Sequence, residues 1–322
     1  MRGLASSLAA GVLLSGCVVV RATPTASGAH MPAAQPVSDG TAPPAAMAWL
    51  YGSAEAAALS EQAYNGMVGY VRGVLDRARD KRGRLPSQRR AGTMPRWPVS
   101  MVLAPGATAA SAETVPCGAL PPAIMLDMDE TAVLNLGYEY EEARTARGFD
   151  AERWSRWEKG GTDRIAPVPG AVAAFRTLRA MGVTMVINTN RSAANARDTE
   201  RALKIAGLGE FRHGETLFLK GDVDDRPGKD GRRLAIAQRY CVLALAGDQL
   251  GDFADLFNPP GPAPALGRRA LSGVAPIEAR WGQGWFVLPN PVYGTGLGTD
   301  WDETFPADKR WSDTAPVEGA NE

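Results

Sequence analysis

The chain has 322 residues, 45% of them hydrophobic, and Lys plus Arg balance Asp plus Glu at 35 each. That apolar share can fill a core and excludes wholesale disorder, while the even charge excludes a globally basic binder of nucleic-acid polymers, which needs excess positive charge against phosphate. Two His (His30, His213) cannot supply a three-His zinc site, and three Cys (Cys17, Cys117, Cys241) are too few for a disulfide scaffold or a four-Cys zinc site.

Arg2 precedes an apolar run from Leu8 to Leu14, too short to span a bilayer and suited to a secretory leader. Leu14-Ser15-Gly16-Cys17 resembles a bacterial lipobox, which implies cleavage after residue 16 and lipid modification of Cys17. Several acyl chains on one Cys give firm anchoring where one chain would not. Val18 follows Cys17, so the expectation is a lipid-anchored protein of the bacterial cell envelope, at the outer membrane facing periplasm or surface. An ordinary leader with an accidental Cys is the alternative. Residues 17–46, rich in Ala, Pro, Thr, Ser and Gly, read as a tether.

From Met47 to Arg79 the pattern predicts one helix, with Leu59, Ala63, Met67, Val71 and Leu75 at spacing four. Lys81, Arg82, Arg84, Arg89 and Arg90 then form a basic stretch, read as a solvated face. Apolar runs at 123–126, 183–187, 217–219, 242–246 and 285–288 are predicted strands, and each ends in polar residues. Predicted helices at 170–181, 192–206 and 229–240 lie between them. This alternation predicts an α/β fold with a parallel sheet, and ligands bind at the carboxyl ends of such strands. Residues 135–166 are too long for a simple connection and predict a small helical cap over the site.

Two carboxylates, Asp127 and Asp129, follow the first predicted strand. So placed, one can attack phosphorus, and the other can protonate the leaving alkoxide and later activate water. Close carboxylates also need a hard cation such as Mg²⁺. Asp248 and Asp252 follow the fourth strand, with helix capping as the plain alternative. Thr189 and Asn190 follow the second, where a hydroxyl and backbone N–H groups can hold phosphoryl oxygens. Lys229 opens a helix and can balance the carboxylates, with Lys220 and Arg232 as competitors.

Taken in order, Asp127-x-Asp129-x-Thr131, Thr189, Lys229 and Gly247-Asp248-x-x-x-Asp252 resemble the four motifs of the haloacid dehalogenase (HAD) superfamily. The likeness is closer to the class C bacterial acid phosphatases of subfamily IIIB. It extends through Leu126–Thr131, Thr189-Asn190-Arg191, Gly247–Phe253, Pro167–Gly170 and Leu288–Gly294, and covers about Trp49 to Gly294. The resemblance implies a Rossmann-like HAD domain over 47–294 with its cap at 135–166. It further implies a Mg²⁺-dependent acid phosphatase that hydrolyses phosphomonoesters, among them nucleoside 5′-monophosphates, through an aspartyl-phosphate. Asp127 is then nucleophile and metal ligand, and Asp129 is acid/base and a ligand through its carbonyl. Asp248 completes the metal site with support from Asp252, while Thr189, Asn190 and Lys229 grip phosphate. Trp49, Tyr51, Trp154 and Tyr293 are candidates for stacking on a base, with core or rim packing as the alternative.

The stretch before Lys229, with Asp222, Asp224 and Asp225, is longer than the family's usual one, and residues 295–322 match nothing recognised. Arg212-His213-Gly214-Glu215 is similar to the phosphate loop of histidine acid phosphatases. It lacks the following Arg and Pro and a second catalytic His, so that mechanism is rejected. A sugar-phosphate phosphatase and a surface lipoprotein binding haem or mediating adhesion remain alternatives, and a homodimer is left open. In the HAD fold the strands near Cys117 and Cys241 are neighbours, away from the site. Outside the cytoplasm a bridge is feasible, with two free thiols as the equal alternative.

Overall fold

The computed structural model describes residues 42–80, 83–88, 100–224, 226–258, 265–298 and 301–312. The leader, Cys17, His30 and the tether through residue 41 lie outside the described residues, as do Lys81, Arg82, Arg89, Arg90 and Asp225. Among the described residues no helix is long and apolar enough to cross a membrane.

The single helix expected over 47–79 is two helices, α1 (Ala45–Gly52) and α2 (Ala54–Ala78). Ser53 breaks them. It adopts extended backbone, and its Oγ accepts the Ala56 N–H at 3.0 Å, capping α2. The buried face of α2 carries Ser60, Tyr64, Met67, Val71, Val74 and Leu75, while Leu59 is exposed. A strict spacing of four drifts by about 40° per step against a helix of 3.6 residues per turn, so the predicted stripe could not stay on one face.

The remaining elements are β1 (Pro122–Leu126), β2 (Val133–Leu134), α3 (Leu136–Thr145), α4 (Ala151–Gly160), β3 (Ala166–Pro167), α5 (Ala171–Ala180), β4 (Thr184–Ser192), α6 (Ala196–Ile205), β5 (Leu217–Lys220), α7 (Asp230–Ala237), β6 (Cys241–Gly247), α8 (Ala265–Ser272), α9 (Ala275–Glu278), β7 (Trp285–Val287) and α10 (Trp301–Thr304). Five strands form one parallel sheet in the order β5-β4-β1-β6-β7. Strands β1 and β6 are buried along their whole length, as central strands covered on both faces must be. Alternation divides the core in two. Ile124, Leu126, Met185 and Ile187 pack with α2 and α5 on one face. Ala123, Met125, Val186, Val242 and Leu245 pack with Phe253, Phe257, Ile277 and Trp285 on the other.

Strand β4 runs on through Asn188-Thr189-Asn190-Arg191 to Ser192, where a polar loop was expected. Pairing with β5 continues to Ser192 opposite Lys220 after an irregularity, so backbone hydrogen bonding carries polar residues into the strand. Between β1 and α5, the two-stranded antiparallel ribbon of β2 and β3 forms the stem of an insert holding α3 and α4.

Cys117 and Cys241 form a disulfide across 124 residues, so they are not free thiols. Cys241 opens β6 in register with Pro122, at the opposite end of the sheet from the polar strand ends. Closing so long a loop constrains the unfolded chain by about 2–4 kcal/mol. The double substitution Cys117→Ser with Cys241→Ser is expected to lower thermal stability by roughly 5–15 °C, measured by calorimetry, with activity at 25 °C retained.

Candidate active site

Strands β1 and β6 lie side by side and end at one edge, so Asp127 and Asp248 emerge together. A short turn of 3₁₀ helix, Leu250–Asp252, brings Asp252 back to them. Its carboxylate accepts the Gln249 N–H at 2.9 Å, and a Cβ on Gly247 would collide with the Asp252 side chain. Carboxylate oxygens of Asp127, Asp248 and Asp252 all lie within 4.8 Å of one another. Asp252, expected as support, is a full member of the cluster. Burial, opposed by Lys229 and reinforced by the other aspartates, pushes the Asp127 carboxyl well above its usual range, and burial with Asp252 raises Asp248.

One cation sits among them. The Lys229 ammonium donates to Asp127 Oδ1 at 2.6 Å and to Asp252 Oδ1 at 2.7 Å. Burial alone would favour a neutral amine, but the two carboxylates outweigh it and hold the lysine's proton affinity above its ordinary value. Three carboxylates against one ammonium leave two formal negative charges in a buried place. All-oxygen donors and that deficit fit a hard divalent cation.

Lys229 is aimed by a contact from outside its own helix. Asp255 accepts the N–H groups of Lys229 at 2.8 Å and Asp230 at 3.0 Å, capping α7 from the loop after β6. Arg233, itself buried, donates to Asp255 and to the carbonyls of Gly251 and Asp252. Gly228 is required because a Cβ there would stand 2.5 Å from Asp255 Oδ2. These contacts lock the helix start to the aspartate turn and distinguish Lys229 from its competitors. Arg232 donates instead to the Thr189 carbonyl and the Asn190 side chain, and Lys220 closes β5.

Asp129 is not part of the three-carboxylate cluster. Its carboxylate takes a two-pronged contact from Arg191, with Nη2 at 2.7 Å and Nε at 3.0 Å, and a hydrogen bond from Asn135 Nδ2 at 3.0 Å. Thr189 Oγ1 stands 3.5 Å from Asp129 Oδ2. Burial works against the Arg191 charge, yet Asp129 more than compensates and raises its proton affinity. Asn135 Oδ1 accepts from Arg191 and, at 3.0 Å, from Trp157 Nε1 of α4. Glu158 of α4 accepts the Ser192 N–H and Asn195 Nδ2, so the insert is pinned to the end of β4. Thr131 Oγ1 donates to Asp248 at 3.0 Å, and Asn290 and Gln249 donate to its other oxygen.

The other predicted residues are spread more widely. Asn190 turns its amide to Pro227 O and Arg232, away from the carboxylates. Trp154 packs edge-on against Tyr138 and lies over the Arg191 guanidinium. Trp49 is half-buried in α1. Tyr51 and Tyr293 meet at Glu130, whose carboxylate accepts both hydroxyls. Burial, then the neighbouring Asp129, pushes Glu130 up to about 8. His213 contacts Asp222 and lies outside the cluster. Arg191 and Glu130 stood in the sequence only as motif letters, and Asn135, Asp255 and Arg233 carried no role of their own, because most of their partners are remote along the chain.

A parallel α/β sheet with aspartates at the ends of two adjacent central strands, a helix-borne lysine and an inserted cap defines a phosphohydrolase of the HAD class. The family described as HAD superfamily, subfamily IIIB (Acid phosphatase), matches residues 104–296, more than half of the chain, and the chain belongs to it. It is therefore a phosphoric monoester hydrolase. Two solved structures are similar at the level of the fold. The class C acid phosphatase from Bacillus anthracis aligns at 21% identity and a TM-score of 0.57, over 78% of this chain and 84% of that one. Its tungstate-bound form aligns at 21% identity and a TM-score of 0.58, over 81% and 89%.

Replacing Asp255 with Ala is expected to cost about 2 kcal/mol in urea unfolding, since the helix cap goes and the Arg233 charge loses a partner. The same change should weaken inorganic phosphate as a competitive inhibitor about tenfold by displacing Lys229, and Asp255→Asn should recover part of both losses.

Proposed function

We propose that this enzyme is a Mg²⁺-dependent phosphatase of nucleoside 5′-monophosphates and related monoesters, working through an aspartyl-phosphate on Asp127. One observation carries the proposal: Asp127 stands at a strand end, within one buried group of Asp248, Asp252 and Lys229. A structure of a relative bears tungstate, a tetrahedral oxyanion like phosphate, which supports an oxyanion-binding site in this fold.

In the proposed reaction Asp127 attacks phosphorus and the ester P–O bond breaks. Asp129 gives its proton to the departing alkoxide. Water then attacks the phosphoryl group, returning a proton to Asp129 and freeing Asp127 and inorganic phosphate. Lys229 and Thr189 hold the phosphoryl oxygens, and the lysine offsets their charge. Arg191 and Asn135 fix the Asp129 carboxylate beside Thr189. The insert is pinned beside that pair through Trp157 and Glu158. Asp127, Asp248 and the Asp129 carbonyl would hold the Mg²⁺, with Asp252 beside them; when bound it neutralises charge on the transferring group. The apolar leader and Cys17 support placing the enzyme on a lipid anchor in the bacterial envelope.

Asp127→Asn is expected to cut turnover of p-nitrophenyl phosphate on the order of 10⁴-fold, with folding intact by circular dichroism. A chelator should abolish wild-type activity and Mg²⁺ restore it; failure of any phosphomonoester to turn over with Mg²⁺ sinks the proposal. Because raised carboxyl groups must lose protons to take up a cation, Mg²⁺ binding should release protons and strengthen as pH climbs above the usual carboxylate range. Calorimetry in buffers of different ionisation enthalpy measures both.

A further inference from the structure

Lys229 and Thr189 belong to separate segments, yet both are needed on one phosphoryl group. Lys229 is fixed from the β6 side, where Asp255 accepts its N–H. Thr189 lies on the other side of β1. It stands past the last pair that β4 makes with β1, Ile187 with Leu126, and in the stretch between Asn188 and Ser192 where the register with β5 shifts. Sheet pairing specifies such an irregular stretch only loosely, so its placement needs support from elsewhere. Arg232 supplies it. This side chain is 3% exposed and stands one turn after Lys229 on α7. It donates Nη1 to the Thr189 carbonyl at 2.8 Å, and Nη2 to Asn190 Oδ1 and to the Gly228 carbonyl at 3.3 Å. Asn190 Nδ2 in turn donates to the Pro227 carbonyl at 3.0 Å. The contacts form a ring from α7 to the end of β4 and back to the residues just ahead of Lys229. All the acceptors that meet the guanidinium are neutral. Burial lowers its proton affinity, with the nearby Asp127 opposing. A charge buried against neutral oxygens is costly. What it contributes here is geometry: one rigid, planar fork holds two successive residues of β4.

We infer that Arg232, with Asn190, is a positioning residue for phosphate: it sets the end of β4 against the start of α7, so that the Thr189 hydroxyl and the Lys229 ammonium close on one phosphoryl group, and it does not itself touch phosphate. This deepens the phosphatase reading and rests on it. Arg232→Lys keeps the charge but loses the fork that serves two acceptors, whereas a direct electrostatic role would need only the charge.

The test is calorimetric binding of inorganic phosphate, with Mg²⁺, to the full chain. Arg232→Ala and Arg232→Lys should each weaken phosphate about tenfold. Guanidinium ion, added below denaturing concentrations, should restore most of the Arg232→Ala loss. Once Thr189→Val is present, adding Arg232→Ala should cost no more than about twofold, because groups acting through one another are not additive. Should Arg232→Ala fail to fold, Asn190→Ala supplies the same comparison, with a loss of about threefold that likewise disappears beside Thr189→Val. Unchanged affinity in Arg232→Ala, full affinity kept in Arg232→Lys, losses that add to that of Thr189→Val, no recovery with guanidinium, or a parent that binds no phosphate overturns the inference. Failure of the catalytic reading alone shows separately, as phosphate binding without turnover of any phosphomonoester.

Discussion

Charge balance at the carboxyl edge of the sheet governs this structure. Asp127, Asp248 and Asp252 converge in a place largely closed to water, where one Lys229 ammonium meets two of them. Mutual repulsion and burial both oppose such an arrangement. It persists because rigid elements impose it: β1 and β6 are locked by register, the turn after β6 is closed by its own capping contacts, and α7 is capped by Asp255. Electrostatic strain held by a stiff scaffold is what prepares the site for a cation and a phosphoryl group.

A second layer of contacts gives each group its separate task. Arg191 and Asn135 draw Asp129 out of the main cluster, so two carboxylates only two residues apart occupy different surroundings. Asn135 also receives Trp157 from the insert, and Glu158 binds the end of β4, so the insert and Asp129 share partners. Glu130 gathers tyrosines from both ends of the domain.

Strand ends and spacing made much of this legible in advance. Apolar runs halting at Asp127, Asp248 and the Thr189 region marked one edge of a parallel sheet, because central strands must be apolar and their ends face ligand. The expected single first helix failed at Ser53, where a side-chain cap competes with the helix. The expected end of the second strand failed because pairing with β5 satisfied the polar backbone. The side chain of Asn190, expected near phosphate, donates to the Pro227 carbonyl ahead of α7.

Local chemistry, carried by the order of residues, determined the strands, their polar ends and the identity of the aspartates and the lysine. Three-dimensional packing decided which acids converge, which one is drawn off by an arginine, that Cys117 meets Cys241, and that Glu130 joins Tyr51 to Tyr293. The division has a physical cause. Strand and helix patterns repeat within a few residues, whereas each of these contacts joins groups from separate segments, and their energies exist only after the sheet has brought those segments together.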